Sequence, residues 1–213
     1  MGKKNQLNIL DIHRQEVFNR LYKVLGDDYY LAGGTALALQ IGHRESFDFD
    51  LFRSKAITFT LKNKIIKAFA DSQPQMLVDT ADELTLTVDN IKITLLNYYW
   101  APLFALVKVK GVIPLLSIRD IATTKAYALG RRGNYRDYFD LYVIIKDGYA
   151  TLKEIVNWSE KKYGGVFSQR MLLEQLVFIG DLEIDTKLKY LGERYVSPKK
   201  MAEYFTAKIS ELK

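Results

Sequence analysis

Cysteine is absent from the 213 residues, and histidine occurs only twice. The missing cysteine excludes disulfide bonds and thiolate sites, and it is typical of proteins in a reducing compartment. Long hydrophobic runs are also missing. The longest uncharged stretch, residues 93–107, contains Asn97 and Pro102 and is shorter than the roughly 18 apolar residues that a membrane span needs. The sequence therefore predicts a cytoplasmic protein with no targeting signal and no membrane helix.

The net positive charge lies entirely in the second half of the chain. Twelve Lys and Arg residues balance 12 Asp and Glu residues in 1–100, whereas 19 against 13 in 101–213 account for the whole net charge of +6. Such an excess is typical of a surface that meets phosphates, but ordinary solvation explains it equally well. The hydrophobic share of 48% is enough for an ordinary core.

The first half of the chain predicts helices and strands of a mixed sheet. Apolar positions from Leu10 to Leu25, including Ile12, follow a helical period, and a short strand then leads through Gly33-Gly34 into a helix that Thr35 can cap. Residues 47–52 alternate as a strand, with Phe47, Phe49 and Leu51 on one face and Asp48 and Asp50 on the other. A basic helix over 59–70 and a hairpin around Asp89-Asn90 follow.

Helical patterns dominate beyond Pro114, over 118–130, 135–145 and then to the end of the chain. We therefore expect an α/β (α+β) protein with an α/β lobe over 1–100 and a closely packed helical lobe over 101–213. No internal repeat or low-complexity segment is present.

Paired carboxylates and a glycine turn are the candidate features of a functional site. Asp48 and Asp50 share a strand face without a neighbouring cation in the strand, which is costly unless a metal neutralises them. Magnesium prefers carboxylates and substrate phosphates, so the pair suits a magnesium–nucleotide complex. Gly33 and Gly34 permit close approach of a phosphate to the start of a helix. Either motif alone is usually only a chance pair or a turn, but their combination is specific.

These residues resemble a known family. The segment "GGTALALQIGHRESFDFDLF" resembles the signature of DNA-polymerase-β-type nucleotidyltransferases, and with the later "DIATTKAYALGRRGNYRDYFDLYVI" it resembles the AbiEii/AbiGii toxin family. The resemblance implies a nucleotidyltransferase-type mixed sheet with flanking helices, followed by a helical C-terminal lobe. The two blocks cover about a quarter of the chain.

The resemblance also implies roles for individual residues. Gly33, Gly34 and Thr35 would hold nucleotide phosphates, and Asp48 and Asp50 would bind Mg²⁺. The second block supplies further candidates for catalysis and substrate binding: Lys125, Asp137, Asp140, Arg132 and Arg136.

Several of these candidates have a simpler interpretation. Lys125 could lie on a solvated helix face, and Asp140 could pair with Arg136 at i, i+4. Arg44 and Ser46 flank the aspartate strand, where they could bind phosphate, although Ser46 could also serve only the turn.

One feature departs from the family pattern. Polymerase-β-type enzymes usually take a third carboxylate from a later strand, and the expected strand here, Ile91 to Asn97, contains no acid. Lys92 and Thr94 occupy the expected face, so either Asp137 supplies the general base or the chemistry is weakened.

The function that the resemblance implies is magnesium-dependent transfer of a nucleoside monophosphate from an NTP to a hydroxyl of RNA, with the tRNA 3′ end as the leading acceptor. The physiological role would be that of a toxin controlled by a cognate antitoxin. Two alternatives remain open. The fold could have lost turnover and act as a nucleotide-, RNA- or protein-binding module, or the carboxylates could serve a nuclease, which would explain the glycine turn poorly.

Overall fold

The structure is a computed structural model that describes residues 9–131, 133–178, 185 and 188–212. The described residues up to Ala101, together with 105–116, form one compact unit, and 102–104 with the described residues from Ser117 onward form a second. The predicted division into 1–100 and 101–213 as functional domains stays a prediction.

The described part of the first unit is a five-stranded mixed sheet with three α-helices. The strand order is β1-β2-β5-β4-β3, in which β2 and β5 are parallel and all other neighbours antiparallel. The elements are α1 (Ile12–Leu25), β1 (Tyr30–Ala32), α2 (Gly33–Ile41), β2 (Phe49–Arg53), α3 (Phe59–Ala68), β3 (Gln75–Asp79), β4 (Glu83–Val88) and β5 (Ile91–Asn97). The mixed α/β architecture predicted from the sequence is confirmed.

Alternation along the strands separates an apolar sheet face from a polar one. The side chains of Phe49 and Leu51 in β2 are fully buried, and the ring of Phe49 stacks on Phe18 of α1 at 5.2 Å. The apolar stripe of α1 thus covers one face of the sheet, although Ile12, predicted to belong to that stripe, is 77% exposed. Asp50 in the same strand belongs to the other face.

The hairpin is confirmed at the predicted turn. Asp89 and Asn90 have positive φ angles of 48° and 64°, which the type I′ two-residue hairpin turn requires at both central positions. Strand β3 was not predicted: it pairs with only one neighbour, and its side chains of Met76 and Leu77 are exposed, so no burial pattern marks it.

Two local predictions were wrong. Strand β2 begins at Phe49, so Phe47 and Asp48 precede it, and the guanidinium of Arg14 lies over the Phe47 ring. Helix α2 begins at Gly33 after Ala32 without a side-chain cap, so Thr35 is not the capping residue. Its hydroxyl instead donates a hydrogen bond to the backbone carbonyl of Asp48.

The segment 105–116 returns to the edge of the sheet. The backbone N–H of Leu31 in β1 donates to the Pro114 carbonyl at 2.8 Å, and the N–H of Leu116 donates to the Leu31 carbonyl at 2.8 Å. Leu115 also exchanges two backbone hydrogen bonds of 2.9 Å with Val107. This segment therefore covers the outer edge of β1.

The second unit is helical, as the sequence predicts. Its helices are α4 (Ile118–Leu129), α5 (Tyr135–Lys146), α6 (Leu152–Tyr163), α7 (Gln169–Val177) and α8 (Pro198–Ser210). In the part of the chain that the structure describes, no helix combines the length and apolar character needed to cross a bilayer.

A buried carboxylate in α4 links three segments of the second unit. Asp120 in α4 is fully buried and accepts hydrogen bonds from the backbone N–H groups of Leu103 and Phe104 at 2.9 and 3.0 Å. It also accepts from the Ser117 hydroxyl at 3.0 Å and from the Lys162 ammonium of α6 at 2.9 Å. Burial lowers the pKa of Lys162, and the hydrogen bond to Asp120 opposes that shift.

Buried tyrosines make stability sensitive to alkaline pH. Burial raises the pKa of Tyr29 to about 12 and also raises that of Tyr135. Because the folded-state pKa exceeds the unfolded value of about 10, this stability is present below pH 10 and is lost as the pH rises toward 12. We expect the urea midpoint, measured by circular dichroism, to fall above pH 10, and to fall less steeply in Tyr29→Phe. Tyr149→Phe, at an exposed ring, should keep the wild-type slope; equal slopes in all three proteins would contradict this prediction.

Candidate active site

The glycine turn and the aspartate strand are in direct contact. Gly33 has a φ of +64°, and a Cβ at this position would overlap Asp50 Oδ2 and lie 3.2 Å from its Cγ. A Cβ at Gly34 would overlap Arg44 Nη2 and lie 3.2 Å from Ser46 Oγ. The glycines therefore permit a close approach of the turn backbone to the Asp50 carboxylate and the Arg44 guanidinium.

Polar contacts connect the other predicted residues to the turn. Thr35 donates to the carbonyl of Asp48, and its Oγ1 lies 2.9 Å from Ser46 Oγ. Arg44 is 2% exposed and donates from Nη1 to the Glu45 carbonyl at 3.0 Å. The structure thus brings together seven predicted site residues: Gly33, Gly34, Thr35, Arg44, Ser46, Asp48 and Asp50.

Substitution of two glycines can separate backbone strain from displacement of Asp50. Gly33 and Gly42 both have positive φ, but a Cβ at Gly42 would meet only the Ile9 side chain, at 3.7 Å. We expect Gly33→Ala and Gly42→Ala to destabilise the fold similarly, by roughly 1 to 2 kcal/mol. Only Gly33→Ala should lower activity, by about 100-fold, because its added Cβ displaces the Asp50 carboxylate from its position in the site.

Urea unfolding and nucleotide-transfer assays on both variants would measure the two effects. Equal activity in the two variants would contradict the placement of Asp50 against the turn.

The polar sheet face carries an acid that the sequence analysis missed. Asp50, Thr94 and Thr85 are in register across β2, β5 and β4, and Thr85 donates to Glu83 Oε1 at 2.7 Å. The Thr85 and Thr94 hydroxyl oxygens are 3.4 Å apart. A third carboxylate was expected on β5 alone, yet the alternation of Glu83 and Thr85 with apolar residues already predicts that both lie on one face of the preceding strand.

The donor set fits magnesium. Asp48 and Asp50 are both half-buried, so their carboxylates remain accessible to a ligand beside the glycine turn. Within the described residues no group of three or more His, Asp or Glu side chains could hold a metal. Magnesium is commonly held by one or two carboxylates with substrate phosphates completing the shell, so these two carboxylates would suit magnesium when a nucleotide is bound.

The second unit contains a separate charged cluster. Lys125 Nζ lies 2.6 Å from Asp137 Oδ1 and 2.8 Å from Asp140 Oδ2. Lys125 is 8% exposed, Asp137 3% and Asp140 not at all. The interpretation of Lys125 as a solvated residue is therefore wrong, because its ammonium contacts two buried carboxylates.

Of the two arginines predicted to bind substrate in this region, the structure describes one. Arg136 pairs through Nε with Asp185 at 2.5 Å and not with Asp140, so the simple i, i+4 interpretation of Asp140 is also wrong. Arg132, the other predicted substrate-binding arginine, lies outside the described residues.

Solved structures with a similar fold indicate the class of protein. A candidate nucleotidyltransferase from H. pylori has a TM-score of 0.57 at 17% identity, with 95% of this chain and 97% of that chain covered. MenT4, a nucleotidyltransferase toxin from Mycobacterium tuberculosis, also has a TM-score of 0.57, at 11% identity and with 100% and 87% covered. The fold is therefore that of nucleotidyltransferases.

Sequence comparison then gives the family. Residues 73–208 match the family described as nucleotidyl transferase AbiEii toxin, type IV TA system. An uncharacterized protein from Aquifex aeolicus is 33% identical over 160 residues, which cover 73% of this chain and 75% of that protein. The chain belongs to the AbiEii nucleotidyltransferase toxin family, and it is an enzyme of the nucleotidyltransferase class.

Proposed function

We propose that the protein transfers a nucleoside monophosphate from a magnesium-bound NTP to a hydroxyl of RNA and releases pyrophosphate. The observation that carries this proposal is the contact between the Gly33 turn and the Asp50 carboxylate. A phosphate held at the turn would lie beside a carboxylate that suits magnesium, which is the arrangement that nucleotide activation needs.

Residues of the first unit would bind the nucleotide. The backbone N–H groups at the start of α2, beginning at Gly33 and Gly34, have no partners inside the helix and would donate to phosphate oxygens. Arg44 would neutralise phosphate charge, and Thr35 and Ser46 would hold the loop that carries Asp48. Asp48 and Asp50 would hold magnesium, which when bound neutralises phosphate charge and lowers the pKa of a coordinated hydroxyl.

The transfer itself exchanges one phosphorus–oxygen bond for another. The acceptor oxygen bonds to the α-phosphorus, the bond from that phosphorus to the bridging oxygen breaks, and pyrophosphate leaves. We propose that Asp137 accepts the proton of the acceptor hydroxyl and that Lys125 neutralises charge on the triphosphate. Asp140 would hold Lys125 in position, while Arg136 and Arg132 would contact substrate phosphate. Glu83 is a second candidate for the missing third acid.

The acceptor and partner are proposed from charge and family. The excess of Lys and Arg in residues 101–213 suits an RNA backbone, and the 3′ end of tRNA is the leading acceptor. Membership in a family described as a type IV toxin supports a cognate antitoxin as partner and the cytoplasm as the working compartment. Family membership also favours a transferase over the alternative of a binding module that has lost turnover.

Label transfer tests the proposal directly. Purified protein is incubated with total cellular RNA, magnesium and each α-labelled NTP in turn, beside an Asp48→Ala control. We expect label in small RNA with one NTP and none in the control. NTP binding without label in any RNA would reject the transfer and support the binding module, and release of RNA fragments would indicate a nuclease.

A further inference from the structure

A cavity of about 360 Å³ lies in the first unit beside the C-terminal end of β2. Its walls come from the end of α1, the residues around Tyr29, the end of β2 at Arg53, and the start of α3. Arg53 follows Asp50 by three residues, so the two side chains belong to opposite faces of the sheet and are separated by about 10 Å along the strand. The cavity is therefore distinct from the glycine turn.

A buried phenol in the cavity wall lacks a hydrogen-bond partner. Tyr29 is 1% exposed, and its hydroxyl oxygen is inaccessible to solvent and makes no hydrogen bond within the described part of the chain. Burying a hydroxyl without a partner costs free energy, so such groups usually have a ligand or a water to bind. Because burial raises the pKa of Tyr29 to about 12, the hydroxyl keeps its proton at neutral pH and can donate it.

Positive charge surrounds this hydroxyl. Arg53, Lys55 and Lys64 line the cavity, and among the residues that the structure describes none of them forms an ion pair with a carboxylate. The Arg53 guanidinium lies 4.6 Å from the centre of the Tyr29 ring and is held by backbone carbonyls, including that of Ala56 at 2.8 Å. Asp28 is the acid in the lining, so three cations and one carboxylate leave two positive charges.

The start of a helix adds free donors. Thr58 caps the ten-residue helix α3 by accepting from the Leu61 N–H at 3.2 Å, and Thr60 and Leu61 line the cavity. The first N–H groups of a helix have no partner within it and favour anions.

We propose that this cavity is a second anion-binding site, which takes the phosphate group of a small molecule of mononucleotide size. Two uncompensated positive charges match the roughly two negative charges of a phosphate monoester at neutral pH. The start of α3 and the Arg53 guanidinium supply the donors, and the covered Tyr29 hydroxyl adds one more when a local side-chain movement opens it to the ligand. The volume lies within the range of small-ligand pockets, and Val24 and Leu25 give it an apolar wall for the rest of the molecule. This site does not depend on the proposed transfer reaction.

Calorimetric titration of the full chain in EDTA tests the site, with adenosine 5′-monophosphate and inorganic phosphate as probes. We expect Tyr29→Phe to weaken binding of adenosine monophosphate about tenfold through loss of a hydrogen bond to a charged group. Lys64→Gln should weaken it about threefold to tenfold. Lys67→Gln is the matched control, because Lys67 is an exposed residue of the same helix that does not line the cavity.

A further variant and a melting curve separate the alternatives. Asp48→Ala should leave this binding unchanged, whereas weakening in Asp48→Ala alone would assign the ligand to the glycine turn and overturn the proposal. Tyr29→Phe should melt at the same or a higher temperature than the wild type, which excludes misfolding as the cause of lost affinity. Equal affinity in the wild type, Tyr29→Phe and Lys64→Gln would reject the site, as would the absence of binding of either probe at about 10 mM, well above common ligand affinities.

Discussion

Replacing Asp50 with asparagine is expected to reduce nucleotide transfer by about 10²- to 10³-fold or more, the scale of losing one group that stabilises developing charge. The substitution keeps the shape of the side chain beside Gly33 and removes only the negative charge that magnesium requires. Because Asp50 is half-buried and the sheet packs through its other face, the fold should tolerate the amide. Transfer of label from an α-labelled NTP to RNA measures the effect.

The matched control is Asp27→Asn, at an exposed aspartate of the same unit. This variant should retain wild-type transfer, while Asp50→Asn should lose the magnesium dependence of NTP binding as well as turnover. Wild-type activity in Asp50→Asn would show that the Asp50 carboxylate is not part of the active site. The glycine turn alone would not support the proposed chemistry.

Replacing Asp120 with asparagine is expected to lower the free energy of unfolding by about 3 to 5 kcal/mol. The change leaves the Lys162 ammonium, which is 1% exposed in its side chain, without its charged partner inside the second unit. It also places an amide NH₂ against donors from Leu103, Phe104 or Ser117, all of which need an acceptor. Urea unfolding followed by circular dichroism measures the loss.

Glu160→Gln serves as the control, because Glu160 is an exposed acid on the same helix as Lys162. It should change the unfolding free energy by less than about 0.5 kcal/mol. Adding Lys162→Met to Asp120→Asn should restore part of the stability, since it removes the buried charge that lost its partner. If the single Asp120→Asn variant were as stable as Glu160→Gln, the buried ion pair would have no structural importance.

Local sequence signals predicted most of the fold. The Asp89-Asn90 turn was predictable because few residues adopt positive φ at both central positions of a tight hairpin. The helix start at Gly33 was not, because Thr35 has the chemistry of a capping residue but uses its hydroxyl for a tertiary contact with the Asp48 carbonyl. A threonine that caps a helix and a threonine that makes a tertiary hydrogen bond are not distinguished by the sequence.

The part of the candidate site that consists of short sequence motifs was predictable. The sequence placed the glycine turn beside Asp48 and Asp50, and their contact follows from the pairing of β1 with β2. Lys125 was harder, because a lysine on an amphipathic helix is normally solvated. Only tertiary packing of α4 and α5 reveals that two carboxylates surround it.

Other features depend on contacts between distant residues and left no local signal. Asp120 takes partners from before α4 and from α6, so no short window of sequence contains its network. Tyr29 resembles any other aromatic residue at the start of a strand, and only the structure shows that its hydroxyl lacks a partner in the described part of the chain.

The return of residues 105–116 to strand β1 affects how the protein can be divided experimentally. A fragment ending at Trp100 would lack the backbone groups of Pro114 and Leu116 that pair with Leu31. It would expose an apolar sheet edge, and such edges recruit strands from other molecules. We therefore expect that fragment to aggregate, whereas one extended to Leu116 would keep its edge protected against intermolecular strand pairing.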